Sequence, residues 1–455
     1  MTPSYEKPVI RKHQNGQMNK FGNSPFYARR IRKDIEGVPV SDLCGEYGSP
    51  LFVYSERVLR NTFRTVSAAF STRYPNVQFG WSYKTNYLQA VCAIMHQEGA
   101  IAEVVSEMEY DKARGMGIPG QDILFNGPHK SMKALEKAVR EGAMIHIDHL
   151  DEMADLEDIA EQTGRRIDVA IRLNMDTGIQ PQWSRFGFNL ESGQALDAVK
   201  RIAHRGRLRV TGLHCHIGTF ILDPAAYAVQ VEKMLAFGYD IEDRFGFKLE
   251  YLDIGGGLPT RNRLKGVYLP PDVSVPPIDE YAEKITDALY ANLREGHTPR
   301  LILEPGRAMV EEAGTLITTV SASKRMPDGR RAYVIDAGVN ILFTANWYKF
   351  NIEMDREVQG MNEPAILYGP LCMNIDVVDE GVLLPPMPRG TRLVVSPVGA
   401  YNVTQWMQFI QYRPNVVLIS EDGDVDVIRE AEDLTDIERR ERLPERLALR
   451  APALV

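Results

Sequence analysis

Val77-Gln78-Phe79-Gly80-Trp81-Ser82-Tyr83-Lys84-Thr85-Asn86 decides how the rest of this chain is read. The run Val77 to Tyr83 predicts a buried β-strand, with Lys84 where it ends. Leu88, Val91, Cys92 and Met95 then share one helical face, and Gly99 supplies a stop. Alone, Lys84 reads as an ordinary solvated lysine. At the carboxyl end of a barrel strand it would stand where that fold keeps its chemistry. There it becomes a candidate for a Schiff base with a carbonyl cofactor.

Working outward, Pro50 to Tyr54 reads as a short strand. Ser55 reads as an N-cap, with Val58, Leu59, Phe63, Val66 and Phe70 at helical spacing behind it. After the Val77 run, further apolar runs recur with helical patterns between them. They are Ala102–Val105, Ile123–Phe125, Met144–Ile147, Val169–Leu173, Val210–His214, Tyr251–Ile254 and Leu301–Leu303, which makes eight in all. Leu135, Ala138 and Val139 line one intervening face, and Gly142 closes it. That is the pattern of a (β/α)8 barrel, whose usual length is about 250 residues. From about Arg331 the pattern changes to strands and turns: Ala332–Ile335, Ala365–Leu367, Ile375–Val378, Arg392–Val395, Val416–Ser420 and Val425–Arg429. This predicts a second, mostly antiparallel β domain, to which the strand near Leu51 also belongs. The expected division is a tail over 1–35, first strands of the β domain over 36–55, the barrel over 56–312, the β domain over 313–435 and a charged tail over 436–455. Residues 262–277, with Leu269-Pro270-Pro271 and Pro276-Pro277, read as an inserted loop.

The 455 residues are 44% hydrophobic and 25% charged, with a formal net charge of −8. That balance argues for a globular protein and against nucleic acid or an anionic membrane as main partner. No apolar run approaches the length of a membrane span. Met1 to Lys20 is polar, lacks a signal-peptide core, and reads as a tail or arm. Cys44, Cys92, Cys215 and Cys372 are scattered. This fits a reducing cytoplasm and neither a disulfide framework nor a zinc site.

Several residues then carry chemistry. Gly255-Gly256-Gly257 follows the seventh run, where backbone N–H groups can converge on an anion; the alternative is a plain flexible turn. Arg307, in Glu304-Pro305-Gly306-Arg307, follows the eighth. Barrels often build phosphate sites from the loops after strands seven and eight. Glu304 could pair with a protonated ring nitrogen of a bound cofactor. His216, in His214-Cys215-His216-Ile217-Gly218-Thr219, could stack on a flat cofactor, bind a metal or fill the core. No carboxylate ligand pattern accompanies it, so no metal is expected. Cys372, in Gly369-Pro370-Leu371-Cys372, reads as buried filler or as an acid or nucleophile, and Tyr401 is unremarkable alone.

Taken in order, these motifs resemble the fold-type III pyridoxal phosphate decarboxylases, nearest the diaminopimelate decarboxylase branch, with the ornithine and arginine decarboxylases as relatives. Gly48-Ser49-Pro50-Leu51-Phe52-Val53-Tyr54 and Glu103-Val104-Val105-Ser106 belong to the likeness, which runs from about residue 40 to about residue 430. The resemblance implies an alanine racemase-like fold: an α/β barrel plus a C-terminal antiparallel β-sandwich-like domain, in a head-to-tail homodimer with shared active sites. It implies an amino-acid decarboxylase, a lyase, working through an external aldimine and a quinonoid. Lys84 would hold pyridoxal 5'-phosphate as an internal aldimine. His216 would stack on its ring, and Glu103 would stand where the family usually has aspartate. Gly255, Gly256, Gly257 and Arg307 would bind its phosphate, helped by Thr219 and Tyr401. Glu304 would keep the ring nitrogen protonated, and Cys372, from the partner subunit, would reprotonate Cα.

The likeness breaks at the substrate's far end. Cys372-Met373-Asn374 stands where the family has Cys-Glu-Ser, so Met373 replaces a charged reader. After Asp336-Ala337-Gly338 no arginine appears before Thr344, although Tyr348 retains an aromatic. Arg185 or Lys349 could supply charge instead. The expected substrate is therefore an amino acid or a larger amino-acid-headed intermediate, with meso-diaminopimelate still open. An amino-acid racemase on the same fold, and a non-catalytic relative, are the alternatives. Glu304 and Cys372 speak against the first, and Lys84 against the second.

Overall fold

A computed structural model describes residues 31–267 and 269–448. The expected arm over Met1 to Lys20 lies outside them. Residues 31 to 35 are held against the β domain rather than trailing free: Ile31 bridges Met354, and Arg32 N donates to the Met354 carbonyl at 2.8 Å. A small hairpin, β1 (Asp34–Ile35) and β2 (Val38–Pro39), leads into helix α1 (Val40–Tyr47). That helix is not among the elements read from the sequence. Strand β3 (Leu51–Ser55) follows, buried at every position. Ser55 then caps α2 (Glu56–Ser71), its side chain accepting from Val58 N at 3.1 Å. Leu59, Phe63, Val66 and Phe70 form the buried face of that helix.

The barrel comes next. Its strands and helices alternate as β4 (Val77–Ser82), α3 (Gln89–Gln97), β5 (Ile101–Val104), α4 (Glu107–Gly115), β6 (Ile123–Phe125), α5 (Met132–Glu141), β7 (Met144–Ile147) and α6 (Leu150–Thr163). They continue as β8 (Ile167–Asn174), a short edge strand β9 (Phe188–Asn189), α7 (Gln194–Arg205), β10 (Leu208–Cys215), α8 (Ala225–Phe245) and β11 (Tyr251–Asp253). Then come β12 (Arg263–Leu264), α9 (Pro271–Ser274), α10 (Ile278–Asn292), β13 (Arg300–Leu303) and α11 (Gly306–Val310). Parallel pairing runs β4-β5-β6-β7-β8-β10-β11-β13 and returns to β4, so eight strands close the barrel. Inside it, Leu124, Ala170, Tyr251 and Ile302 pack as a separate cluster. Gly212 makes room for that layer, because a Cβ there would lie 2.3 Å from the Tyr251 ring. Ser131 caps α5, and Gly142, at φ 76°, ends it in the left-handed region.

The chain leaves the barrel into β14 (Gly314–Arg325), a long strand the sequence reading passed over. The β domain continues with β15 (Arg331–Ile335), β16 (Tyr348–Lys349), β17 (Asn351–Met354), β18 (Glu363–Tyr368), β19 (Val377–Leu384), β20 (Arg392–Ser396), β21 (Val416–Ile419) and β22 (Val425–Arg429), then a short helix α12 (Leu434–Glu438). β14 pairs antiparallel with β15, β20 and β3. Two pairings are parallel, β15 with β18 and β21 with β3. The domain is otherwise antiparallel, as its runs predict. The segment over 262–277 is more than a loop: β12 pairs antiparallel with β16 and ties the barrel's rim to the β domain. No helix among the described residues is long and apolar enough to cross a membrane.

Candidate active site

Lys84 stands two residues past β4, at the end of the barrel from which every strand-to-helix loop leaves. It opens into a cavity of ≈ 830 Å³ between the barrel's mouth and the β domain. Glu103, His216, Thr219, Glu304, Arg307, Tyr348 and Tyr401 also line it. Six segments of the chain thus bring together residues that lie far apart in sequence. Gly255, Gly256, Gly257, Arg185, Met373 and Cys372 do not line it. The glycines lie directly behind His216, Arg185 stacks on Phe186 at 5.1 Å, and Cys372 is exposed on its own chain.

Lys84 Nζ donates to Glu103 at 2.5 Å and to Ser82 Oγ at 2.8 Å. Burial disfavours its charge, but Glu103 and Glu304 outweigh burial and raise its pKa. Ser82 also donates to Glu103. Asn126 stands between the two carboxylates, its Nδ2 3.1 Å from Glu103 Oε1 and 2.5 Å from Glu304 Oε1. Burial alone would raise the Glu304 pKa; the Lys84 ammonium carries it below its ordinary value instead.

His216 Nδ1 accepts from Gly256 N–H at 3.0 Å, which leaves Nε2 as the site of the ring proton. Burial, then Lys84, push this imidazole down to about 3, so it is neutral. Gly255 N–H donates to Asp253 Oδ1 at 2.9 Å. Two of the three glycine N–H groups are therefore committed inside the protein, so the turn does not present all three to an anion. Its tightness has another reason. A Cβ on Gly256 would stand 2.4 Å from the Glu304 carbonyl, and one on Gly257 2.4 Å from the Gly218 carbonyl.

Arg307 is buried at the cavity's far side. Its guanidinium pairs with Glu311 at 3.3 Å and lies over the rings of Tyr401 (4.8 Å), Tyr348 (5.2 Å) and Phe220 (5.8 Å). Tyr401 adopts φ 60°, an uncommon conformation for a residue with a side chain, and its N–H donates to the Thr85 carbonyl at 2.9 Å. That bond joins the loop after Lys84 to the β domain.

Beneath Glu304 lies a second group of side chains. His146, His214, Asp253 and Glu304 each present a heteroatom, all within 4.8 Å of one another. The rings of His146 and His214 face each other at 4.8 Å. Burial holds both imidazoles neutral, and burial followed by the charge of Glu304 raises the Asp253 carboxyl well above its ordinary range.

The sequence reading passed over Asn126, Arg172, Asp253, His146, Trp183 and Trp347. Asn126 follows β6 as Lys84 follows β4, so the logic that singled out the lysine would have found it. Arg172 lies within an apolar strand run and pairs with Asp148 at 3.4 Å while stacking on Phe186. Leu264, Lys265 and Val267, from the segment read as a loop, form part of the cavity wall.

Residues 60–311 match the family described as pyridoxal-dependent decarboxylase, pyridoxal binding domain. The chain is 31% identical to the diaminopimelate decarboxylase of Archaeoglobus fulgidus over 426 residues, 90% of this chain and 97% of that one. With the Bacillus subtilis diaminopimelate decarboxylase it shares 29% over 422 residues, 89% and 94% of the two chains. The crystal structure of the M. jannaschii diaminopimelate decarboxylase in complex with L-lysine superposes with a TM-score of 0.84 at 26% identity, covering 93% of this chain and 99% of that one.

Proposed function

The chain belongs to the pyridoxal-dependent decarboxylases, carboxy-lyases of amino acids that work with pyridoxal 5'-phosphate, and from that membership we propose which of its residues do the work. The residues present suit the cofactor. A lysine amine, an anionic carboxylate, a neutral imidazole and a buried guanidinium share one cavity, and the glycine turn allows backbone to pack where a Cβ would not fit. When bound, the cofactor accepts into its ring the electron pair left at Cα as CO2 departs.

Lys84 holds the cofactor covalently through its amine. Glu103 and Ser82 orient that amine and keep it close to the cavity floor. Glu304, held anionic beside Lys84, would keep a ring nitrogen of the cofactor protonated by charge pairing. His216, neutral and fixed by Gly256, would stack against the cofactor's ring without adding charge. Arg307 would neutralise the phosphate, with Thr219 and Tyr401 beside it, while Gly255, Gly256 and Gly257 let the backbone pack closely behind His216. Cys372 of a second copy of the chain enters the cavity and delivers a proton to Cα as general acid. The working unit is thus a head-to-tail homodimer in a reducing cytoplasm, consistent with four free cysteines.

The observation that carries this reading is Lys84 at the end of the first barrel strand, in one cavity with Glu304, His216 and Arg307. For the substrate we propose an amino acid, or a larger amino-acid-headed intermediate, whose distal end differs from that of diaminopimelate. Thr344, where the likeness would place an arginine, is fully buried and hydrogen-bonds Asn402 at 3.0 Å. It therefore reads no carboxylate, and an unpaired charge in such a site discriminates strongly. The test is borohydride fixation of the cofactor on Lys84, followed by CO2 release from L-, D- and meso-amino acids including diaminopimelate, lysine, ornithine and arginine. A protein that takes up no cofactor, or one labelled elsewhere, would end the assignment of Lys84. Efficient release from diaminopimelate alone would end the substrate proposal.

A further inference from the structure

We propose that Asp253 is a positioning residue for the decarboxylation. Its carboxyl group keeps its proton and donates it to Glu304, so that the pair faces the cofactor's ring nitrogen as one anion in one orientation. This rests on the reading of Glu304 as the carboxylate opposite that nitrogen.

The geometry begins with two neighbouring strands. Asp253 ends β11, Glu304 follows β13, and these strands pair in parallel. Gly255 N–H fixes Asp253 Oδ1 at 2.9 Å. The other oxygen, Oδ2, is buried and receives no N–H or O–H donor among the described residues, while the Asp253 and Glu304 carboxyl groups lie in side-chain hydrogen-bond contact. His146 Nδ1 lies 3.8 Å from Oδ2, too far for a hydrogen bond. Two carboxyl groups this close and this buried resist ionising together, so one keeps a proton.

The surroundings decide which one. Glu304 has the Lys84 ammonium nearby and receives an amide hydrogen bond from Asn126 at 2.5 Å. Asp253 has one backbone N–H and faces the charges of Glu304 and Glu103. The proton therefore stays on Asp253. The groups around this pair are His146 on β7, His214 on β10, Glu103 on β5, Lys84 after β4 and Arg172 on β8. Neither imidazole takes the proton. Both are fully buried, their rings face each other, and Lys130 and Arg172 repel a further positive charge. With Asn126 on one side and Asp253 on the other, Glu304 is held by two donors and keeps its remaining lone pairs for the cavity.

The test uses Asp253→Asn and Asp253→Ala in the cofactor-loaded enzyme. Asparagine is isosteric with the protonated acid: its Oδ1 still accepts from Gly255, and its Nδ2 donates to Glu304. D253N should stay within ~3-fold of the parent in kcat, and its visible band should follow the same pH dependence, because the hydrogen bond survives. D253A should lose about tenfold or more in kcat with little change in KM, and its visible band should titrate at a shifted pH. Infrared difference spectra should contain an un-ionised carboxyl band in the parent that D253N lacks. That readout and D253N decide the matter even if D253A does not fold. A folded D253N as impaired as D253A, or a parent without that carboxyl band, would overturn the proposal. So would one equivalent of a metal ion per chain in the purified protein, because the four heteroatoms would then be ligands. Glu304→Gln is run in parallel. If it leaves band and turnover unchanged, the reading of Glu304 has failed, and the role of Asp253 with it. If it is impaired and D253N is impaired too, only the role of Asp253 has failed.

Discussion

Lys84 Nζ and Glu103 Oε2 stand 2.5 Å apart, so the amine proposed to take up the cofactor is held as an ammonium ion. Its raised pKa follows from Glu103 and Glu304 outweighing burial. Only the free amine is nucleophilic. Cofactor uptake by the cofactor-free protein should therefore quicken as pH rises. Glu103→Gln removes one of the two charges, lowers the pKa and should speed uptake several-fold at neutral pH. Stopped-flow absorbance measures this, and an uptake rate independent of pH in the parent would contradict it.

Gly256→Ala should weaken cofactor binding about tenfold or more. The new Cβ would lie 2.4 Å from the Glu304 carbonyl, which is backbone and has no rotamer to escape into. The same shift would disturb the 3.0 Å bond from Gly256 N–H to His216. Fluorescence titration with the cofactor measures the loss; an unchanged Kd would show that the turn can yield.

Glu311 makes stability depend on pH. Burial pushes its carboxyl up to about 8, although Arg307 pulls the other way. The folded chain thus keeps a proton there that the unfolded chain releases near 4.5. Between those values the folded state binds the extra proton, so this contribution to stability is lost as pH rises. Glu311→Gln has no such proton. Its stability relative to the parent should climb across that window, by at most about 1.4 kcal/mol per pH unit. Urea midpoints across the window test this, and parallel curves for the two proteins would refute it.

Cys372→Ala should bind cofactor normally and lose most turnover. Mixing it with Lys84→Ala should then restore activity, to about a quarter of the parent if subunits exchange at random, since half the dimers would carry one intact site. An inactive mixture of exchanging subunits would mean that Cys372 serves its own chain's cavity or none.

The barrel was legible because its strands are buried on both faces and read as unbroken apolar runs. Strand β14 was not, because burial changes along its length. Gly314 to Ile317 are buried, whereas Ser321 to Arg325 are exposed. Lys84, Glu304 and Arg307 could be found because each follows a strand, and position alone gave the clue. His146 and Asp253 sit inside or at the end of strands and meet Glu304 only through the closed barrel, so no local spacing reveals them. The wall formed by Leu264 and Lys265 depends on the register between Arg263 and Lys349, a pairing between distant segments.

Strand β3 lies between β14 and β21, yet the whole barrel separates it from both in the chain. On the ribosome, an entirely apolar-facing strand must wait, unpaired on both edges, until synthesis has passed residue 314 and then residue 416. Only the barrel can close in the meantime. Assembly of this protein therefore runs from the barrel outward, and until β14 emerges β3 presents two unpaired edges to other chains.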